Sequence, residues 1–241
     1  MKLCRAVLEG GADILEVGLP FSDPIADGPT IQSAVKRALS SGATPREVLR
    51  LIHELREAKD VPIVVLTYAN PILHYGGEER GEPFEAFVKD ASRSGVDGLI
   101  VADLPADEAD GLKRLCDREG MALIQLVAPT TPKERLPRIL ERCSGFVYCI
   151  SLTGVTGARE ELASTAREVV QRVKRHTSLP VAVGFGLSKP WHIRAVSQVA
   201  DGAIVGSAVV RLVEENASRV DEAVCKVREF VRSLFEATRL V

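Results

Sequence analysis

The 241-residue sequence contains no CxxC pair. Its five cysteines (Cys4, Cys116, Cys143, Cys149 and Cys225) are odd in number and irregularly spaced, a poor disulfide framework for a chain of this length, so free thiols in a reducing cytosol are expected. The four histidines, His53, His74, His176 and His192, stand far apart, and no HxxxH or His/Cys cluster offers the ligand spacing of zinc or another transition metal. No stretch reaches the run of about 18 apolar residues that a membrane span requires, and Met1 to Gly11 lacks the apolar run of a signal peptide. The 31 basic and 33 acidic residues intermingle without a long block of one sign, which removes the electrostatic footprint of a nucleic-acid or anionic-membrane binder. A Walker A sequence is also missing, and the GxG of Gly184-Phe185-Gly186 lacks the third glycine of a dinucleotide fingerprint and comes late in the chain. These absences point to a cytoplasmic protein with no metal, nucleic acid or membrane to hold.

What is present is a compact globular composition, 46% hydrophobic and 27% charged. Short runs rich in Val, Ile and Leu on both parities recur: Ile14 to Leu19, Pro62 to Tyr68, Gly98 to Leu104, Met121 to Ala128, Gly145 to Leu152, Pro180 to Gly186 and Gly202 to Val210. They read as seven buried parallel strands. Between them lie segments of helical period, the clearest being Thr44 to Ala58, where Thr44 is an N-cap, Pro45 the first helical residue and Glu47 the partner in a capping box. Val48, Leu51, Ile52 and Leu55 then share one face. Further amphipathic segments are expected at about 83–94, 107–119, 133–142, 159–176, 189–199 and 217–238. Strand and helix alternate without a linker, so one domain over 1–241 is expected, either a doubly wound sheet or a (β/α)8 barrel.

Glu16 interrupts an apolar strand, Ile14-Leu15-Glu16-Val17-Gly18, with its side chain opposite to Leu15 and Val17. A carboxylate there is costly to ionise, and desolvation raises its pKa toward the range in which a proton can be held or released near neutrality. A structural glutamate paired with an arginine or capping a loop is the alternative. Asp27 lies eleven residues on, in the segment Pro20-Phe21-Ser22-Asp23-Pro24-Ile25-Ala26-Asp27-Gly28-Pro29-Thr30, which packs two aspartates and three prolines into a stiff βα loop that can hold Asp27 over the strand's carboxyl end, facing Glu16. Turn or helix capping is the other role open to Asp27, and the one favoured for Asp23.

Three glycine-bearing loops close the last strands: Thr153-Gly154-Val155-Thr156-Gly157, Gly184-Phe185-Gly186 and, within the seventh strand, Val205-Gly206-Ser207. Glycines let backbone amides approach an anion, and loops at this end of a barrel often bind phosphate. Tight turns alone would also account for each glycine. Tyr148 sits in mid-strand, where its hydroxyl needs a partner. Tyr68, Leu99, Val127 and Phe185 can line an apolar slot for a flat ring, or simply fill the barrel. Trp191 and His192 read as packing or helix-surface residues.

The run Leu15-Glu16-Val17-Gly18-Leu19-Pro20-Phe21-Ser22-Asp23-Pro24-Ile25-Ala26-Asp27-Gly28-Pro29-Thr30-Ile31-Gln32 closely resembles the signature of the tryptophan synthase alpha chain family. Leu66-Thr67-Tyr68-Ala69-Asn70-Pro71, Val101-Ala102-Asp103-Leu104-Pro105, Thr153 to Gly157, Gly184 to Gly186 and Gly206-Ser207-Ala208 resemble the same family in the same order. The resemblance implies a TIM (β/α)8-type barrel and a lyase of tryptophan biosynthesis. Such an enzyme cleaves indole-3-glycerol phosphate by retro-aldol chemistry to indole and glyceraldehyde 3-phosphate, with no cofactor in this chain. It implies Glu16 and Asp27 as catalytic residues, Tyr148 beside Glu16, and Gly157, Gly186, Gly206 and Ser207 around the phosphate, with Tyr68, Thr156 and Phe185 also against the substrate. Glu16 would protonate the indole C3 and take the proton of the glycerol 3'-hydroxyl, and Asp27 would meet the indole N–H. The loops Pro20 to Asp27 and Thr153 to Gly157 would form a lid touching a pyridoxal phosphate-dependent beta chain in an alpha2beta2 assembly. The family pattern places a strand ahead of the helix that ends at Gly10-Gly11, and Met1 falls inside that helix, so seven strands are expected here against the family's eight. A shortened, inactive barrel that docks on a beta chain and modulates it is the alternative reading.

Overall fold

The computed structural model describes residues 1–58, 60–77, 81–150, 159–184 and 186–239. In chain order its elements are α1 (Lys2–Glu9), β1 (Leu15–Gly18), α2 (Pro29–Ser40), α3 (Pro45–Ala58), β2 (Ile63–Thr67), α4 (Ala69–Leu73), α5 (Glu85–Arg93) and β3 (Gly98–Val101). There follow α6 (Asp110–Arg118), β4 (Ala122–Leu123), β5 (Gln125–Val127), α7 (Leu136–Glu141), β6 (Val147–Ile150), α8 (Arg159–Lys174), β7 (Val181–Gly184), α9 (Pro190–Ser197), β8 (Gly202–Ala203), α10 (Ser207–Glu215) and α11 (Val220–Thr238). All seven runs expected as strands carry strand. The run from Met121 to Ala128 carries two, because β4 pairs with β3 and β5 with β6, while the amide of Ile124 between them bonds to Leu99.

The seventh run is a partial correction. It was expected as strand through Val210, but β8 ends at Ala203 and Ser207 opens a helix. Val209 and Val210 are β-branched and suit a strand in isolation. Val209, Leu212 and Val213, however, recur at helical spacing and pack against Val227 and Val231 of α11, so burial of that face outweighs local propensity.

The chain divides into two compact units. The first, over 13–124, holds a parallel sheet in the order β1-β2-β3-β4. Its register pairs Leu15 with Ile63, Glu16 with Val64, Val65 with Leu99, and Leu99 with Leu123. Since in-register neighbours share a face, Leu15, Ile63, Val65, Leu99 and Leu123 form one fully apolar side, and all five are buried. Ile52 and Leu55 of α3, Phe87 and Val88 of α5, and Leu112 and Leu115 of α6 supply buried helical stripes. The capping box of α3 is present: Glu47 Oε2 accepts the Thr44 amide at 2.9 Å, and the Glu47 amide donates to Thr44 Oγ1 at 3.3 Å. Of the four residues expected on one face, Val48, Ile52 and Leu55 are buried; Leu49 joins them, while Leu51 is only partly buried.

The second unit, 2–12 with 125–241, holds β5-β6-β7-β8, also parallel. Here α1 lies along α11, tied by Lys2 to Asp221 (2.9 Å) and by Arg228 to Glu9 (3.0 Å). Gly10 is required at its place, because a Cβ there would sit 2.6 Å from that of Val231.

One motif recurs at strand starts. In the first unit Asp97 Oδ2 accepts the Ile63 amide at 2.7 Å, and Arg56 pairs with the same carboxylate. In the second, Asp201 Oδ2 accepts the Val181 amide at 2.8 Å, and Lys174 binds the other oxygen at 2.9 Å. Each aspartate thus fastens the next strand to the start of the one before it, satisfying an amide that the ladder leaves open.

Candidate active site

In the first unit, β1 and the end of β2 carry the acidic candidates. Glu16, Gly18, Val64, Leu66 and Ile100 share the sheet face opposite the apolar side just described, and Tyr68, two residues past Leu66, continues that parity. Glu16 is mostly buried there, and loss of solvation pushes its pKa up from 4.5 to about 7, with the negative charge of Asp27 adding to the rise. The structural alternative, a glutamate neutralised by arginine, has no support among the described residues.

Asp27 reaches the same place from the loop between β1 and α2. That loop is folded on itself: the amide of Ile25 bonds to Asp23 O (2.9 Å), that of Asp27 to Pro24 O (3.1 Å), and Gln32 Nε2 donates to Asp27 O (2.8 Å). The carboxylate is held by Tyr68, whose hydroxyl donates to Oδ2 at 2.9 Å while accepting the Ala26 amide at 3.1 Å. Burial raises the Asp27 pKa, and the Tyr68 hydrogen bond opposes that rise. The Tyr68 phenol is itself pushed up, by burial first and then by the bonded carboxylate. One acid able to give or take a proton near neutrality therefore lies beside a second that a hydroxyl helps to keep ionised.

Of the residues expected to line an apolar slot, Tyr68 lies on the Glu16 face, but Leu99 lies on the opposite one, packed with Val65. Leu66 and Ile100 share the Glu16 face instead; both were legible from strand parity once the register of β2 and β3 was known.

The second unit carries the remaining described candidates. Tyr148 shares a face of its sheet with Leu126, Ala182 and Gly184, whereas Val127 lies on the buried opposite side with Cys149. The Tyr148 ring lies over Gly184 so closely that a Cβ there would fall 2.5 Å from Cε2 and 2.7 Å from the hydroxyl oxygen. Gly186 adopts φ 72°, a left-handed conformation natural to glycine, directly after β7. Gly206 caps α10, and a Cβ at Gly206 would meet nothing. The first intrahelical bonds come from Val209 and Val210 to Gly206 O, so the amides of Ser207 and Ala208 precede the ladder and aim out of the helix start. Because β8 is bonded directly to β7 in parallel, Gly186 and Gly206 follow the carboxyl ends of neighbouring strands, an arrangement suited to an anion. Thr156, Gly157 and Phe185 lie outside the described residues. His192 is buried, its Nδ1 accepting the Ser188 amide at 2.9 Å at the start of α9, which makes it a packing and capping residue.

Among the described residues no group of three His, Cys, Asp or Glu side chains could hold a metal ion, and no helix is long and apolar enough to cross a membrane.

Parallel strands alternating with helices, with two acids at the strand ends of one sheet and glycine turns at those of the other, mark the class as an α/β-barrel enzyme. The family model described as "Tryptophan synthase alpha chain" matches residues 1–239. Among curated relatives, the tryptophan synthase alpha chain of Methanocaldococcus jannaschii is 53% identical over 206 residues, covering 85% of this chain and 71% of that protein. That of Opitutus terrae is 43% identical over 239 residues, covering 99% and 87%. Among solved structures, the alpha subunit from Legionella pneumophila superposes with a TM-score of 0.88 at 34% identity, covering 99% of this chain and 86% of that one. A Pyrococcus furiosus structure, titled for mutual activation of the tryptophan synthase a2b2 complex, gives 0.86 at 40% identity, covering 98% and 92%. The chain belongs to the tryptophan synthase alpha chain family, its fold class is the TIM barrel, and its role lies in tryptophan biosynthesis.

Proposed function

We propose that the chain cleaves indole-3-glycerol phosphate to indole and glyceraldehyde 3-phosphate. The observation that carries this reading is the pairing of Glu16, with a carboxyl titrating near neutrality, with Asp27, fixed beside it by Tyr68. Glu16 delivers a proton to the indole C3. The resulting cation is stabilised through its ring N–H by ionised Asp27, and Glu16 then takes the proton of the 3'-hydroxyl. The bond between C3 and the glycerol carbon breaks, its electron pair returns to the ring as indole is released, and the hydroxyl carbon becomes the aldehyde. Gly186, Gly206 and Ser207, with Gly157, hold the phosphate; Tyr148, Thr156 and Phe185 contact the rest of the substrate. None of these steps needs a cofactor on this chain.

The partner is a beta chain, expected to carry pyridoxal phosphate, in an alpha2beta2 assembly; the a2b2 complex of the Pyrococcus furiosus relative supports the assembly. Retention of both carboxylates favours an enzyme over an inactive modulator of that partner.

Indole release from indole-3-glycerol phosphate tests the reading. Glu16→Gln and Asp27→Asn are each expected to lower it by about a hundredfold or more while substrate analogues still bind. Wild-type turnover surviving in both variants refutes it.

A further inference from the structure

The side chain of Tyr68 gathers the whole β1–α2 loop. Phe21 rests against its ring with centroids 5.5 Å apart, Ala26 donates its amide to the hydroxyl, and the hydroxyl donates to Asp27. Tyr68 is 4% exposed, so the phenol side of these bonds is shielded, while Ala26 and Asp27 on the loop stay partly open to water. A phenol has one proton to give, and here it goes to Asp27. The same hydroxyl therefore cannot donate to a substrate without releasing the carboxylate. The Tyr68 backbone is set from the other side, where Asp103, just past β3, accepts the amide of Ala69 at 2.7 Å and the amide of Ala102 donates to Thr67 O at 2.9 Å. A line of contacts thus crosses the ends of three neighbouring strands.

We propose that Tyr68 is a positioning residue for the cleavage reaction: it occupies one oxygen of Asp27, leaving the other for the ring N–H, and fixes the loop that carries it, with Asp103 setting its own place. This rests on the reading above only in taking Asp27 to face substrate. The ionisable groups around Asp27 are Glu16 on β1 and Tyr68 after β2, with Asp103 beyond Tyr68. A role that merely packed the loop would not move the titration of Asp27; a clamp must.

In Tyr68→Phe the ring contact stays and both hydrogen bonds go. Two readouts apply: the acid limb of kcat/KM, and the carboxyl 13C resonance of Asp27 followed against pH in a Glu16→Gln background. Loss of a hydrogen bond to the charged form is expected to move both upward by about one pH unit. The turnover number should fall about tenfold to a hundredfold through lost orientation, with KM changed far less. Replacing Tyr68 by 3-fluorotyrosine keeps every contact and strengthens the donor, so it should move the Asp27 titration down; it also serves if Tyr68→Phe does not fold. Asp27 titrations that superimpose in wild type and Tyr68→Phe, or an upward shift with the fluorinated ring, overturn the proposal. Absence of indole release from the wild type would instead overturn the lyase reading, and the resonance of Asp27 would still decide the role of Tyr68.

Discussion

Glu16→Gln should make the protein more stable at neutral and alkaline pH, and the gain should vanish in mild acid. In the folded chain the Glu16 carboxyl titrates at about 7 against 4.5 for a free glutamate, because burial and the Asp27 charge both disfavour its anion. Between those values the folded state binds the proton that the unfolded state has released. The slope of unfolding free energy with pH is therefore negative, and stability falls as pH rises through the window from about 4.5 to 7. Each pH unit in that window costs about 1.4 kcal/mol, so above it the ionised glutamate burdens the fold by roughly 3 kcal/mol. Glutamine has nearly the same shape, cannot ionise and carries no such burden. Below pH 4.5 wild-type Glu16 is itself neutral and the two proteins converge. Urea unfolding of both proteins at intervals between pH 4.5 and 8.5 measures the difference directly. For a chain of this size the alkaline plateau corresponds to a rise in Tm of about 6 to 12 °C. A stability difference that stays flat across the series, or a glutamine variant that is less stable at pH 8, would refute the placement of Glu16 as a desolvated acid. The variant that gains stability is the one expected to lose indole release, so the strain sits at the proposed catalytic group.

Asp97→Ala should lower the unfolding free energy by about 1 to 3 kcal/mol, read as a lower urea midpoint, since it leaves the Ile63 amide without its side-chain acceptor and removes one partner of Arg56; an unchanged midpoint would show that the clamp carries nothing. Gly184→Ala should impair indole release by pushing the Tyr148 ring aside, and Tyr148→Val in the same chain should restore folding stability by removing the clash; additive losses in the double variant would contradict the contact. Thr44→Ala should cost about 1 kcal/mol through loss of the α3 capping box, seen as a lower thermal midpoint with turnover per folded molecule unchanged.

Elements whose period and end signals agreed were legible in the sequence. The helix from Pro45 was foreseen from Thr44, Pro45 and Glu47 because capping is local chemistry, and the strands were foreseen because both faces of a covered sheet read as apolar runs. The start of α10 was not. Val209 and Val210 after Gly202 look like strand until the α11 face that covers Val209, Leu212 and Val213 is known. Register has the same character. Leu99 and Tyr68 are each apolar ring-sized candidates on neighbouring strands, yet one residue of offset sends them to opposite faces, and no local pattern fixes that offset. The Asp97 and Asp201 fastenings did leave a trace, an aspartate just before the glycine that opens β3 and β8, with a basic residue seven positions ahead of the strand it secures in both cases.

The two carboxylates show why the acids of this site could be read from sequence and their control could not. Glu16 announced itself as a polar residue in a strand with no room for charge, and Asp27 as an acid in a loop stiffened by proline; both signals concern single positions. The control is relational. Tyr68 read as one more apolar ring, because nothing in Thr67-Tyr68-Ala69 says where a hydroxyl will point. Only the pairing of β1 with β2, which sets Gly18 against Leu66, brings the phenol under a loop 41 residues upstream. That pairing places the donor where it opposes the burial-driven rise in the Asp27 pKa, while at Glu16 burial and the Asp27 charge both act upward. Both acids are raised by burial, the more deeply buried Glu16 to about 7, while the Tyr68 hydroxyl restrains the rise at Asp27; the proposed division of labour between proton transfer and charge stabilisation uses that asymmetry.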